Sequence, residues 1–141
     1  MSVIMSSAER ETFLAEVHVG VLTVAAGAGR GPLATPVWYS YQPGGVVTVT
    51  TGGGSGKAKA IAAAGRFTLC AQDEAPPYKY VTVEGPAVIE PADLAERTAI
   101  ARRYLGLEGG DAFIAANPDA GVAIRMTPEH WQAADFGKAA S

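Results

Sequence analysis

Thr50-Thr51-Gly52-Gly53-Gly54-Ser55-Gly56-Lys57 stands between two runs of opposite character. Before it come Val46, Val47, Thr48 and Val49, β-branched residues that favour a strand over 46–51. After it come Ala58-Lys59-Ala60-Ile61-Ala62-Ala63-Ala64, a strong helix former that stops at Gly65. Glycines in a strand-to-helix turn let backbone amides converge on an anion. The helix start adds positive potential there, and Lys57 adds a full charge. Thr51 and Ser55 can donate hydroxyl hydrogen bonds. The combination suits a phosphate, and a flexible surface loop with a solvated lysine carries the same signature. A Walker A loop is excluded: it would need glycine where Thr51 stands and Ser or Thr where Ala58 stands. The dinucleotide pattern G-x-G-x-x-G is also out of register, and no parallel β-α-β series follows.

The pattern on either side is that of short strands and turns. Ser6 and Glu9 have capping-box spacing, so a helix runs to about Val17. Strands are expected over 19–25 and 33–41, the second containing Pro36. A proline inside a strand marks an edge, a bulge, or a place where the backbone amide is not wanted for pairing. Gln42-Pro43-Gly44-Gly45 is a hairpin turn into the 46–51 strand. Strands follow over 67–72 and 79–89. In the second, Val81, Val83, Ala87 and Ile89 alternate with more polar neighbours, as in a half-buried strand. Asp93 opens a helix to about Leu105, then a Gly-rich break precedes a short segment at Phe113. Strands over 122–126 and 128–136 complete the chain, and residues 1–7 and 137–141 should fray. Six or so strands in meander order, joined by short turns, predict antiparallel pairing. Closing into a barrel would cover their edges.

Composition bounds the rest. A chain of 141 residues is one domain's length, so a single domain is expected over 1–141. With 48% hydrophobic and 18% charged residues it is apolar enough to fold. Its 17 glycines and 9 prolines disfavour a helical bundle and favour a mainly β, α+β domain. The net charge of −3 argues against a nucleic-acid partner while leaving room for a small basic pocket. One cysteine, Cys70, excludes an internal disulfide, and two histidines leave metal chemistry little to stand on. No apolar run nears the roughly 20 residues that span a bilayer, and the start lacks a signal-peptide pattern. The expectation is a cytoplasmic protein with no membrane partner.

The chain resembles the split β-barrel flavoproteins of the pyridoxamine 5′-phosphate oxidase-like superfamily. Within it, the chain is most similar to the actinobacterial flavin/deazaflavin oxidoreductase group. Four stretches carry the resemblance, in the family's order, from about Phe13 to Phe136. Val19 to Val24 resembles the first strand. Ala34-Thr35-Pro36-Val37-Trp38-Tyr39 resembles the second, where the chain passes the flavin ring. Thr51 to Lys57 resembles the turn ending in Ser-x-Lys. Tyr80-Val81-Thr82-Val83-Glu84-Gly85-Pro86-Ala87 resembles the long strand with its V-x-G core.

The resemblance implies an antiparallel split barrel with a few short helices. It implies a homodimer with cofactor at the interface and an oxidoreductase acting on a small organic substrate. Ser55 and Lys57 would hold the cofactor phosphate, with Thr51 beside it, and Thr50 and Gly56 belong to the same cofactor-binding turn. Thr35, Pro36, Val37 and Trp38 would line the ring. Lys79 and Tyr80 would reach the cofactor from the second subunit. Gly56 stands where many FMN-binding relatives have arginine, so one phosphate-binding charge is missing. Coenzyme F420, a deazaflavin that moves hydride only, carries a polyglutamate tail. Lys59 and Arg66 could meet that tail, although ordinary helix-surface charge explains them too. F420 is therefore favoured, with FMN as the alternative and a non-catalytic cofactor-binding protein as the third choice. No acid–base residue is singled out. His18 suits a helix C-terminus and Cys70 a core. Asp73 and Glu74 suit a solvated loop, and Arg102 and Arg103 an exposed helix. His130-Trp131 could face either the pocket or the barrel wall.

Overall fold

In the computed structural model, which describes residues 2–140, the alternating apolar residues form the inner face of one curled sheet. The elements run α1 (Ser7–Ala15), β1 (Gly20–Val24), β2 (Leu33–Val37), β3 (Val47–Thr51), α2 (Gly56–Ala64) and β4 (Arg66–Asp73). They continue as β5 (Lys79–Pro91), α3 (Leu94–Ala116), β6 (Val122–Met126), β7 (His130–Asp135) and a 3-10 turn (Phe136–Ala140). The strand order is β2-β1-β4-β5-β6-β3, with β7 also on β5, and every pairing is antiparallel. This is a split-barrel α+β fold.

β5 is the spine. Its first half lies between β4 and β7, and its second half pairs with β6. The change of partner falls at Gly85. A Cβ there would come 1.7 Å from the Thr127 carbonyl oxygen, so only glycine lets the β6–β7 connection cross this close. Thr127 N then donates to Pro86 O (2.9 Å) and Glu129 N to Glu84 O (2.9 Å). Val81 and Val83 point inward with Leu22, Leu69, Ile124 and Met126. α1 adds Phe13 and Leu14 to this core, and α2 adds Ala58 and Ile61. Each of these side chains larger than alanine contributes about 1.5–3 kcal/mol on burial, more than any exposed ion pair here can.

The capping box forms as expected: Glu9 N donates to Ser6 Oγ (3.1 Å) and Ser6 N to Glu9 Oε1 (2.8 Å). A hydrogen bond from Lys138, then those from Ser6, hold the Glu9 carboxyl down at about 2. Pro36 does lie on an edge strand, since β2 pairs only with β1.

Two expectations need correction. The second strand ends at Val37, not near 41. There the chain leaves the sheet to bury Tyr39, whose hydroxyl donates to Leu14 O (2.7 Å) and whose amide donates to Tyr104 Oη (3.1 Å). The 42–45 turn consequently does not join β2 and β3 in a ladder, and the order is not a meander. Only the Ser40–Thr48 bridge links them, with N···O distances of 2.9 and 3.0 Å, and it closes the two ends of the sheet on each other. The Gly-rich break after Leu105 forms as expected, at Gly106 (φ 79°, ψ 176°). Helix resumes to Ala116, because the surrounding Ala and Leu outweigh a glycine cost of about 1 kcal/mol each. Arg102 Nε meets Asp111 Oδ1 at 2.8 Å across the bend. The two ends of the described chain lie against each other. Asp135 N donates to Val3 O (2.8 Å), Lys138 Nζ donates to Ile4 O (2.9 Å), and Met5 is buried. Met1 and Ser141 lie outside the described residues. Among the described residues, no helix is long and apolar enough to cross a membrane.

Candidate functional site

The Gly-rich turn works mainly as a helix start. Ser55 N donates back to Gly52 O (3.1 Å), and Ser55 is the N-cap of α2, its Oγ accepting from Ala58 N (3.2 Å). The Thr51 hydroxyl donates to the same Oγ at 3.4 Å. Lys57 falls in the first turn, half-buried, where the unpaired amides of a helix start add to its charge.

Lys57 opens onto a cleft of about 400 Å³ with two unlike ends. Thr50, Thr51, Gly52 and Lys57 make one end, and Arg97 and Asp119 are the other polar residues of the lining. At the other end lie Val19, Pro36, Val37 and Trp38 from the sheet edge, faced by Ile100, Ala101 and Phe113 of α3. Trp38 is fixed by aromatic neighbours. Its ring stacks on Tyr104 (centroids 5.2 Å apart, planes 7° apart) and meets Phe113 at 5.1 Å and 53°. The Tyr104 hydroxyl donates to His18 O at 2.6 Å and accepts from Tyr39 N. Burial raises the Tyr104 pKa, so the phenol keeps the proton that this tether uses.

The structure therefore brings Pro36, Val37, Trp38, Thr50, Thr51 and Lys57 to one cleft. Ser55 and Gly56 sit just behind it as the cap and first residue of α2. Thr35 lies on β2 opposite Leu22, its hydroxyl 3.4 Å from Pro36 O. Lys59 is exposed in the next turn of α2, away from the cleft lining. Arg66 is engaged by Glu129 (3.3 Å) and Glu84 (3.7 Å) on β5 and its neighbour loop. Lys79 belongs to a separate hollow with Met5, Glu9, Glu16 and Asp135, and Tyr80 Oη accepts from Gln132 Nε2 (3.3 Å).

The remaining candidates also find places. His18 stacks on Phe13 (4.3 Å), with Nε2 3.1 Å from the Phe13 carbonyl near the end of α1. His130 is exposed beside Glu129, and Trp131 packs against Tyr41 and under Arg10. Cys70 is a half-buried free thiol in β4.

Sequence reasoning missed the α3 wall and Asp119. A signal was present: Asp93 caps α3 through Glu96 N (2.9 Å), and from that phase Arg97, Ile100, Ala101 and Tyr104 share one helical face.

No family model and no curated protein matches the chain. Solved structures do. A conserved hypothetical protein from Mycobacterium tuberculosis superposes with a TM-score of 0.80 at 22% identity, over 99% of this chain and 91% of that one. An F420 reductase gives 0.71 at 24% identity, over 86% and 94%. A FAD-binding protein from Mesorhizobium loti gives 0.66 at 18%, over 92% and 94%. A protein described as a pyridoxamine 5′-phosphate oxidase from Listeria innocua gives 0.57 at 17%, over 82% and 87%. At these identities the likeness is one of fold, and the fold is the split β-barrel of the pyridoxamine 5′-phosphate oxidase-like proteins.

Proposed function

We propose that the protein is an oxidoreductase that binds coenzyme F420, with FMN as the alternative, and passes hydride between it and a small conjugated organic molecule. One observation carries this reading. A single cleft joins a cationic, hydroxyl-bearing end at α2 to an uncharged aromatic end at Trp38, the two halves that a phosphorylated ring cofactor needs. When bound, F420 supplies hydride chemistry alone, whereas FMN would add one-electron transfer and reaction with oxygen.

The residues present fit such a group. Lys57 would balance the phosphate charge, and the first-turn amides of α2 would donate to it. The Ser55 oxygen is committed as acceptor to Ala58 N and Thr51 Oγ1, so only its own hydroxyl hydrogen can serve an anion. Pro36 presents no N–H, and Val37 and Trp38 supply apolar surface that keeps water from the ring. No side chain at the apolar end titrates: Val19, Pro36, Val37, Trp38, Ile100, Ala101 and Phe113 leave any proton to exchange with water. That feature equally suits a protein that binds the cofactor without turnover, so turnover has to be measured.

The proposal includes a homodimer. Lys79 and Tyr80 lie outside the cleft of their own chain, so a second copy would have to supply them. Val19 and Val21, 55% and 40% exposed, give that copy apolar surface to cover beside the cleft. The proposed setting is the cytoplasm, where a free thiol such as Cys70 stays reduced.

Titration of F420 by fluorescence and of FMN by absorbance tests the site. The wild type should saturate with F420, and Lys57→Ala should weaken binding at least about tenfold, or about 1.4 kcal/mol, with an unchanged circular dichroism spectrum. Equal affinity of the two proteins for both cofactors would remove the site. Oxidation of reduced F420 in the presence of enones, quinones or tetrapyrroles then separates an enzyme from a binder.

A further inference from the structure

Two cations adjacent in sequence to the phosphate end, Lys59 and Arg66, do not line the cleft; Arg97 does. It stands on the first turns of α3, in phase with Ile100 and Ala101. Its guanidinium lies over the Phe113 ring, 5.7 Å from the centroid, and Nη1 donates to the Asn117 carbonyl. Those contacts hold it at the seam where the chain leaves α3 and turns toward β6. The turn is itself pressed onto the anion end. Asp119 Oδ1 accepts from Gly121 N (3.0 Å), and Gly121 (φ +64°) lies so close to β3 that a Cβ would be 2.3 Å from Thr51 O. Arg97, on α3, and Lys57, on α2, thus line the same cleft from different elements.

The two cations differ in what they can hold. Lysine is a point charge suited to phosphate, while arginine presents a planar fork of five N–H donors that matches a carboxylate. One backbone carbonyl takes one of those donors. Arg66, Arg102 and Arg125 each have a carboxylate partner, and Arg97 has none among the described residues. The phosphate already has Lys57, the α2 amides and Thr51 on the sheet side. Resting on the function proposed above, we infer that Arg97 is the second anion-binding group of the site. It takes a carboxylate that the cofactor carries beyond its phosphate. FMN ends at its phosphate and F420 does not, so Arg97 is the residue by which this chain prefers the longer cofactor.

Equilibrium binding tests this without any turnover. The probes are F420 with its glutamate tail, the deazaflavin 5′-monophosphate lacking everything beyond the phosphate, and FMN. Arg97→Gln keeps a donor for the Asn117 carbonyl and should leave the fold intact. It should weaken tailed F420 about tenfold or more while holding the other two within about twofold, a selectivity of about 1.4 kcal/mol. Arg97→Lys, which keeps the charge and loses the fork, should fall between. In the wild type the tailed cofactor should lose affinity with salt more steeply than the monophosphate, and Arg97→Gln should erase that difference. Uniform weakening of all three probes, or no weakening, would overturn the assignment of Arg97 while leaving the site in place. Failure of the wild type to bind any of the three would overturn the proposed function, and this inference with it.

Discussion

The sheet wall of the cleft and the α3 wall are held by different forces. Pro36, Val37, Thr50 and Thr51 belong to strands locked by continuous ladders over a core whose Leu22, Leu69, Val81, Val83 and Ile124 are fully buried. α3 brings to that core's edge only Ile100 and Ala101 as buried aliphatic side chains. It is fastened instead by long polar side chains reaching backbone or charge. Tyr104 reaches His18 O, Arg103 reaches Ala15 O (2.9 Å) and Glu16 O (2.7 Å), and Arg125 on β6 pairs with Glu96 (2.7 Å). The wall with Thr50, Thr51 and Lys57 is therefore built on the rigid sheet and α2, while the wall with Arg97 and Phe113 rides on a helix whose tethers can be cut one at a time.

The largest effect should come from breaking the rigid wall. Gly85→Val would drive a side chain into the Thr127 carbonyl at the point where β5 changes partner. A loss of about 3 kcal/mol or more is expected, seen as failure to fold or a much lower urea midpoint. A variant of wild-type stability would contradict the account of the β5 crossing.

Cutting an α3 tether should do less. Tyr104→Phe leaves His18 O and Tyr39 N without their partner, for about 1–3 kcal/mol. Near-ultraviolet dichroism of the Trp38 stack should weaken, and the sheet signal should persist. The same tether has a pH signature. Burial raises the folded-state pKa of Tyr104, so its contribution is fully present below the unfolded value of about 10 and is lost as pH rises through the higher folded value. Tyr39, raised by its own burial, titrates in the same direction. Stability should therefore fall above about pH 10, and Tyr104→Phe should flatten that fall. An unchanged alkaline limb in the variant would assign the effect to Tyr39 and to Tyr41, which burial and its hydrogen bond to Glu11 push up to about 12, and would weaken the comparison.

The same contrast explains what could be read from the sequence. The β5 alternation, the Ser6–Glu9 capping box, the edge position of Pro36 and the turn ahead of Lys57 all depend on neighbours a few residues away. Local spacing therefore revealed them. The closure through Ser40 and Thr48 depends on burying Tyr39 under α1, a contact between distant segments that no local pattern encodes. In α3 the break after Leu105 was legible from its glycines and lies at Gly106, but only the tertiary path shows the helical stretches on either side carrying Arg97 and Phe113 into one cleft. Lys59 and Arg66 looked eligible for the anion end by sequence distance alone. Helix phase turned the first outward, and the Glu84 and Glu129 carboxylates engaged the second.

The central claim is that one cofactor bridges the two walls, and hydrogen exchange measured with and without F420 tests it most directly. Slower exchange is expected at saturation in two separated peptides, the 52–58 turn with the start of α2 and the 97–116 stretch of α3. Core strands β4 and β6 should change little. Protection confined to one wall, or absent from both at a saturating cofactor concentration, would contradict it.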